Sequence, residues 1–363
     1  MLMKYLLKTL ILATLCTIPL YAQINIDRFF KTAQQFEIKP MAACPEWAKH
    51  PEKDLFRVAW VSDFHLTTEP SHILVQKCLN LIRDKIKPNG VFITGDNCGV
   101  SPAYLQNIST KLNLSRRRQR YMKEYLEKEL STPYSIIPGD NWPQEFEKEF
   151  GSDQYSFDFG GFHFIFFSAD CQDPTHEGCT TFHDSSLEWL INDIANNSSK
   201  PCIYISHEPV YPKTDLDAQN ITLILNEYPQ IIATFGGHLH LDLEFKQKTW
   251  TQFVCPALGR SHRPAFKLLH FQKENIVIES YEWQTKQALF KKVNKWQKID
   301  IPKKLQRGIV SQPILGYNLK NAHALPPHAR EIDGSLHKRA AELSANRMAF
   351  VLEFGFQNFL KNK

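Results

Sequence analysis

Phe56-Arg57-Val58-Ala59-Trp60-Val61-Ser62-Asp63-Phe64-His65 is the stretch on which the reading of this chain turns. Its apolar and aromatic run predicts a buried strand, and it ends on Asp63 and His65, two residue types that ligate metals. The pattern recurs. Val91-Phe92-Ile93-Thr94 runs into Gly95-Asp96-Asn97, and Ser135-Ile136-Ile137-Pro138 runs into Gly139-Asp140-Asn141. Further on, the run from Cys202 to Ser206 ends at His207, and that from Ile231 to Phe235 ends at Gly236-Gly237-His238-Leu239-His240. Ligands of open α/β sheets bind in the crevice at the carboxyl ends of the strands, so these residues are expected to converge. Singly, each is more readily a turn cap; in series, each at a strand end, they point to a site.

Apolar spacing predicts helices from Ser71 to Lys87 (closed by Pro88), from Ser115 to Leu130 (capped by Ser115), from Asp184 to Asn196 and from Leu216 to Tyr228. Tyr155 to Phe159 and Phe162 to Phe167 read as a hairpin turning at Gly160-Gly161. From Leu243 to Trp283 the pattern is of strands alone, such as Phe266 to Phe271 and Ile276 to Tyr281. The fold class is α/β, closing with antiparallel strands.

Composition bounds the function. The 363 residues allow one large domain or two, and 43% hydrophobic residues with 25 Phe and 7 Trp exclude a disordered chain. No repeat of solenoid or propeller length is present. A net charge of +5 on 43 basic and 38 acidic residues is a balanced surface, from which no nucleic-acid binding is expected. The run Arg116-Arg117-Arg118-Gln119-Arg120 reads as the solvated face of a helix.

Lys4 and Lys8, the apolar stretch from Leu6 to Leu20 and then Tyr21-Ala22-Gln23 have the form of a secretory signal peptide. Residues 1–22 are expected to be removed, leaving an exported protein, periplasmic or secreted, with no transmembrane span. Residues 23–54 read as a linker. Seven cysteines then remain; Cys171 and Cys179 flank a polar loop and are expected to form a disulfide, while Cys202 reads as a buried apolar residue. The proline-marked tail from Lys298 carries an expected helix from Ser335 to about Gly355, with an apolar end that packs back on the domain.

The order Asp-x-His, Gly-Asp, a Gly-Asn-His-like element, a lone His after a strand and Gly-His-x-His, from about Phe56 to Trp283, resembles the calcineurin-like metallophosphoesterase family. The hairpin from Tyr155 to Ile165 resembles the one that those enzymes carry after their third motif. The resemblance implies a four-layer α/β/β/α sandwich over residues 55–285, with residues 286–363 as a C-terminal extension. It implies that Asp63, His65 and His240 hold one metal, that Asp140, His207 and His238 hold a second, and that Asp96 bridges them. Carboxylate and imidazole donors suit two divalent or mixed-valence ions of Mn, Fe or Zn. Such a pair clamps a phosphoryl group and supplies a hydroxide for in-line attack, so the implied activity is hydrolysis of small phosphate mono- or diesters. Asp96, His65 and Asn141 are the implied catalytic residues.

The chain departs from the family at Gly139-Asp140-Asn141-Trp142, where Gly-Asn-His is expected. Asp140 ligates through oxygen with one more negative charge, which favours a harder or more highly charged ion; a one-residue slip would make Asn141 the ligand instead. Asn141 in the histidine's place donates a hydrogen bond but transfers no proton at neutral pH. Either substrates with good leaving groups are preferred or another acid serves, and His176 and His183 are the candidates. Gly99 and His65 stand where the related purple acid phosphatases carry a tyrosine and a glycine, which sets the chain apart from that subgroup. His163 and His270 read as structural; Glu208 reads as backing His207 or facing solvent, Asn97 as orienting phosphate or capping the following turn, and Arg260 and Arg263 as solvated or meeting substrate phosphate. The other reading, suggested by the missing histidine, is a metal-stabilised binding protein of the same fold with little turnover.

Overall fold

Alternation along the strands sets the layers. In β1 (Phe56–Val61), Val58 and Trp60 point into one buried cluster, and Ala59 and Val61 point into another, because successive side chains leave opposite faces. A strand buried on both faces lies in a sheet covered on both sides. The computed structural model describes residues 36–66, 69–98, 108–141, 143–173, 179–211, 214–259, 261, 263–311 and 323–336.

The remaining strands are β2 (Gly90–Thr94), β3 (Tyr134–Ile137), β4 (Gln154–Phe159), β5 (Phe162–Phe167), β6 (Cys171–Gln172), β7 (Thr180–Thr181), β8 (Cys202–Ile205) and β9 (Ile231–Gly236). They continue with β10 (Leu243–Lys246), β11 (Thr251–Val254), β12 (Ala265–Phe271), β13 (Asn275–Gln284), β14 (Leu289–Asp300), β15 (His323–Ala324) and β16 (Glu331–Ile332). The α-helices are α1 (Glu69–Leu81), α2 (Ile108–Glu129), α3 (Phe146–Phe150), α4 (Asp184–Asn196) and α5 (Ala218–Glu227). One sheet has the order β14-β13-β12-β1-β2-β3, a second β10-β11-β9-β8-β5-β4-β15, and a small third β16-β6-β7. β1, β2 and β3 run parallel, as do β5, β8, β9 and β11.

The inner faces of the two large sheets meet in an aromatic core. Phe56, Trp60 and Phe92 from one pack against Phe162, Phe164, Phe166 and Phe235 from the other, with the Trp60 and Phe235 rings stacked at 4.6 Å. Each such side chain contributes about 1.5–3 kcal/mol by leaving water. The outer face of the first sheet is covered by α1 and α2 through Val75, Leu79, Met122 and Leu126. That of the second is covered by α4 and α5 through Leu190, Ile194, Ile221 and Leu225. The result is a four-layer α/β/β/α sandwich. β4 and β5 turn on Gly160 and Gly161, with φ of 59° and 85°; a side chain at either would overlap Phe56 or the backbone of Gly308, so both positions require glycine. Among the described residues no helix is long and apolar enough to cross a membrane.

Several elements differ from their sequence reading. Ser115 is not a cap but lies seven residues inside α2, fully buried on the stripe of Gln119, Met122 and Leu126; two polar residues on the buried face hide that stripe from an apolar count. α1 gives way at Ile82–Ile86 to a wider π-type turn, closed at Lys87 with φ of 49° and its N–H on the Ile82 carbonyl at 2.8 Å. The following Pro88 disfavours a right-handed helical Lys87. The expected Cys171–Cys179 disulfide is not formed: both are buried, reduced thiols, and the register sets Cys171 opposite Thr181 while the Cys179 carbonyl accepts from Asp173 N–H. The chain beyond 286 also builds the fold, since β14 is an edge strand of the first sheet and β15 an edge strand of the second. Beyond Leu336, the expected tail helix lies outside the described residues.

His270 on β12 ties the entry segment to the sheet. Its Nδ1 lies 2.6 Å from Asp54 Oδ2 and its Nε2 lies 3.4 Å from Glu279 Oε1. Burial pulls the imidazole pKa down, but the two carboxylates outweigh it and raise it from 6.5 to about 9. A raised folded-state pKa gives stability that is complete below the unfolded value and lost as pH rises through the folded one. Denaturant unfolding of the wild type and His270→Gln is expected to show a difference of about 3 kcal/mol that holds below pH 6.5 and fades by about pH 9.

Candidate metal centre

Three of the five strand ends, those of β1, β2 and β9, deliver their polar residues through turns the backbone does not favour. Asp63, His65, Asp96, His238 and His240 have φ between 42° and 65°, the left-handed region that costs a non-glycine residue on the order of 1–3 kcal/mol. Backbone bonds hold the turns together: Asp63 N–H donates to the Gly95 carbonyl at 3.0 Å, and His65 N–H to the Asp96 carbonyl at 2.9 Å. Gly237 N–H donates to the His207 carbonyl at 2.8 Å.

The side chains meet in two groups. Asp63, His65, Asp96 and His240 form one, and Asp140, His207 and His238 the other, each with ligand atoms within 4.8 Å of one another. Asp96 lies between them. Its Oδ2 is 3.6 Å from His65 Nε2 and its Oδ1 is 3.4 Å from His207 Nε2. In the first group His240 Nε2 lies 3.2 Å from Asp63 Oδ1 and 3.1 Å from His65 Nε2. In the second, Asp140 Oδ1 lies 3.2 Å from His207 Nε2 and 3.3 Å from His238 Nδ1. All seven sequence-predicted ligand positions are thus brought together.

His207 is oriented by the Thr94 carbonyl, 2.7 Å from Nδ1, which places the proton on Nδ1 and turns the Nε2 lone pair inward. That Nε2 and Asp140 Oδ2 are buried without a hydrogen-bond partner. Buried unpartnered acceptors are costly, and two of them in a carboxylate and imidazole donor set fit a cation. Burial pushes the Asp63 and Asp140 carboxyls up, but His240 facing the first and His238 facing the second hold both below the usual carboxylate range. Burial also opposes protonated imidazoles, yet Asp96, Asp140 and Asp63 raise His207, His238 and His240 respectively. Protons and cations compete for such a cluster.

Asn141 faces Asp96. Its backbone N–H donates to Asp96 Oδ1 and its Nδ2 to Asp96 Oδ2, both at 2.9 Å, so the carboxylate between the two groups has a donor on each oxygen. It is Asp140 that lies among the imidazoles, not Asn141. A side chain at Gly139 would overlap Asp96, which is why this element begins with glycine. Asn97 ties β2 to β3 by donating to the Ile137 carbonyl at 2.9 Å. Glu208 is buried and accepts from Thr180 Oγ1 at 3.1 Å. His183 is turned to Glu331 at 3.1 Å and Arg263 to Glu37 at 3.1 Å; His176 and Arg260 lie outside the described residues. His163 bridges Asp158 and Asp193 at 2.8 Å each. Sequence reasoning missed Gln172 and Arg330, which reach the Gly139–Asp140 backbone; neither stands at the end of a predicted strand.

Residues 56–242, just over half of the chain, match the family model for calcineurin-like phosphoesterases. A dimetal phosphatase from Danio rerio is similar in structure, with a TM-score of 0.52 at 13% identity over 69% of this chain and 100% of that one. Vps29 from Entamoeba histolytica, solved with Zn, has a TM-score of 0.35 at 15% identity over 67% of this chain and 98% of that one. No curated protein matches. The chain belongs to the calcineurin-like phosphoesterase family.

Proposed function

We propose that the protein is an exported metal-dependent phosphohydrolase acting on small phosphate mono- or diesters. The observation that carries this reading is Asp96, whose two oxygens face the two ligand groups at 3.6 and 3.4 Å. Asp63, His65 and His240 would hold one ion, Asp140, His207 and His238 the other, and Asp96 would be shared. Two divalent or mixed-valence ions, Mn, Fe or Zn, would supply Lewis acidity toward the phosphoryl oxygens and an activated water at neutral pH.

The chain itself contributes charge, order and access. Asp63 and Asp140 stay ionised at neutral pH, so the donors are anionic before a cation arrives. The His238 and His240 side chains are 15% and 32% exposed, whereas those of Asp63, His65, Asp96, Asp140 and His207 are at most 2%. A substrate therefore approaches over His238 and His240. Asn141 donates to Asp96 from its backbone N–H and Nδ2, and from Nδ2 also to Asp140 Oδ1 at 3.3 Å, which supports a preference for esters with good leaving groups. The same feature favours the second reading, a binding protein of this fold with little turnover. Export rests on the charged start and apolar core of residues 1–22.

Three outcomes are expected. Protein stripped of metal and refilled with Mn, Fe or Zn hydrolyses chromogenic phosphate esters, and Asp96→Asn lowers the rate by more than about 100-fold; metal uptake with no turnover on mono- and diesters selects the binding protein. Asn141→Leu, which keeps the backbone donor but removes the amide, weakens metal retention about 10-fold in equilibrium dialysis. Mass spectrometry of the protein recovered outside the cytoplasm finds a chain that begins near Gln23.

A further inference from the structure

The element that carries Asp140 is held from behind by a residue nearly two hundred positions away. Arg330 enters beside β6 because β16 pairs with it in parallel, Glu331 against Cys171 and Ile332 against Gln172, with Glu331 N–H on the Asp170 carbonyl at 2.8 Å. Its side chain is 2% exposed. One guanidinium nitrogen, Nη2, donates to Ser168 Oγ at 2.7 Å; the other, Nη1, donates to the Gly139 carbonyl at 3.3 Å and to Gln172 Oε1 at 3.5 Å. Gln172 in turn donates from Nε2 to the Asp140 carbonyl at 2.7 Å. With its Oε1 taken by a cation, the amide can present only its NH2 group to Asp140. Two successive carbonyls, of Gly139 and Asp140, are therefore fixed by one guanidinium and the glutamine it orients.

The opposite side of the loop is equally closed. Asp96 receives the Asn141 N–H and leaves no room for a side chain at Gly139. Asp140 is the sole carboxylate of the second ligand group, so the direction of that peptide decides whether its oxygen meets His207 and His238. Full burial of a guanidinium with its nearest carboxylate, that of Asp153, at 4.0 Å is expensive and buys no ordinary ion pair.

We propose that Arg330, acting through Gln172, is a positioning residue for Asp140 and thereby for the second metal, which gives the C-terminal segment a role in the centre. The proposal rests on the two-metal reading above. The test is Mn uptake by the full chain, by equilibrium dialysis with elemental analysis, together with electron paramagnetic resonance of the bound Mn. Wild type, Arg330→Met, Gln172→Glu and Asp140→Asn are compared; Gln172→Glu keeps a partner for Arg330 but removes the donor to Asp140.

In Arg330→Met and Gln172→Glu the tighter ion binds as in wild type. The weaker binds roughly 10–100-fold less well, and the spectrum changes from a coupled pair to an isolated ion. An unchanged second affinity in Gln172→Glu overturns the proposal, as does an equal weakening of both ions, which is general loosening of the fold. If Arg330→Met does not fold, Gln172→Glu decides alone. Wild type that takes up fewer than two ions overturns the two-metal reading and this role with it. If wild type holds two and Asp140→Asn loses one while the other two variants lose none, only the role of Arg330 falls.

Discussion

Everything about this site depends on one carboxylate held at the seam between two sheets. Asp96 ends β2, in the sheet that also supplies Asp63 and His65; its two oxygens reach toward ligands from that sheet and from the other. A carboxylate can serve both sides only if it does not rotate, and two hydrogen bonds from Asn141 prevent rotation. The aromatic core between the sheets, Trp60 on Phe235 among others, fixes the spacing over which Asp96 must reach. The sandwich is thus the device that makes five chain segments meet.

The centre is expensive to build, and the expense explains its neighbours. Asp63, Asp96 and Asp140 are nearly or fully buried, and anionic groups out of water are tolerated only when paired or bound to cations. The backbone adds strain at five of the seven positions. Strain persists only where the surroundings over-determine it. Here they do so by backbone bonds that cross from one strand end to the next, and by side chains such as Asn97, which ties β2 to β3.

How much of this was legible follows from the physics of each feature. Strand ends are visible in sequence because an apolar run must stop where the chain leaves the core, and the polar residue at the stop is conspicuous. Asp63, Asp96, His207 and His238 could be picked out in that way, and the hairpin at Gly160-Gly161 by the conformational demand of its turn. Burial of polar residues gives no such mark: Ser115 and Gln119 sit on the inner stripe of α2 although neither is apolar. Register is equally silent, so Cys171 and Cys179 looked pairable until β6 and β7 set Thr181 opposite Cys171. Arg330 and Gln172 act on backbone carbonyls, which any loop offers, so no residue pattern announces their target. β14 was obscured by its polar residues, Lys291, Lys292 and Asn294 among them, all exposed.

Aspartate at position 140 changes the electrostatics of the pair as well as its geometry. Three carboxylates face the two ligand groups; the resemblance would place an asparagine in one of those positions. Two divalent ions bound here would therefore be balanced by one more negative charge than in a centre with Asn at that element. A phosphoryl group is itself anionic, so every unit of positive charge removed weakens its attraction, and within a buried site such a unit is worth more than at a surface. One trivalent ion in place of a divalent one restores the lost unit without any change of ligand, and it also suits the harder, all-oxygen character of an added carboxylate. In the proposed hydrolase, Asn141 in the histidine's place would leave less to side-chain protons, and Asp140 would ask more of the charge of the ions. A two-metal centre of this composition would thus depend more on which metals fill it than one built with asparagine and histidine.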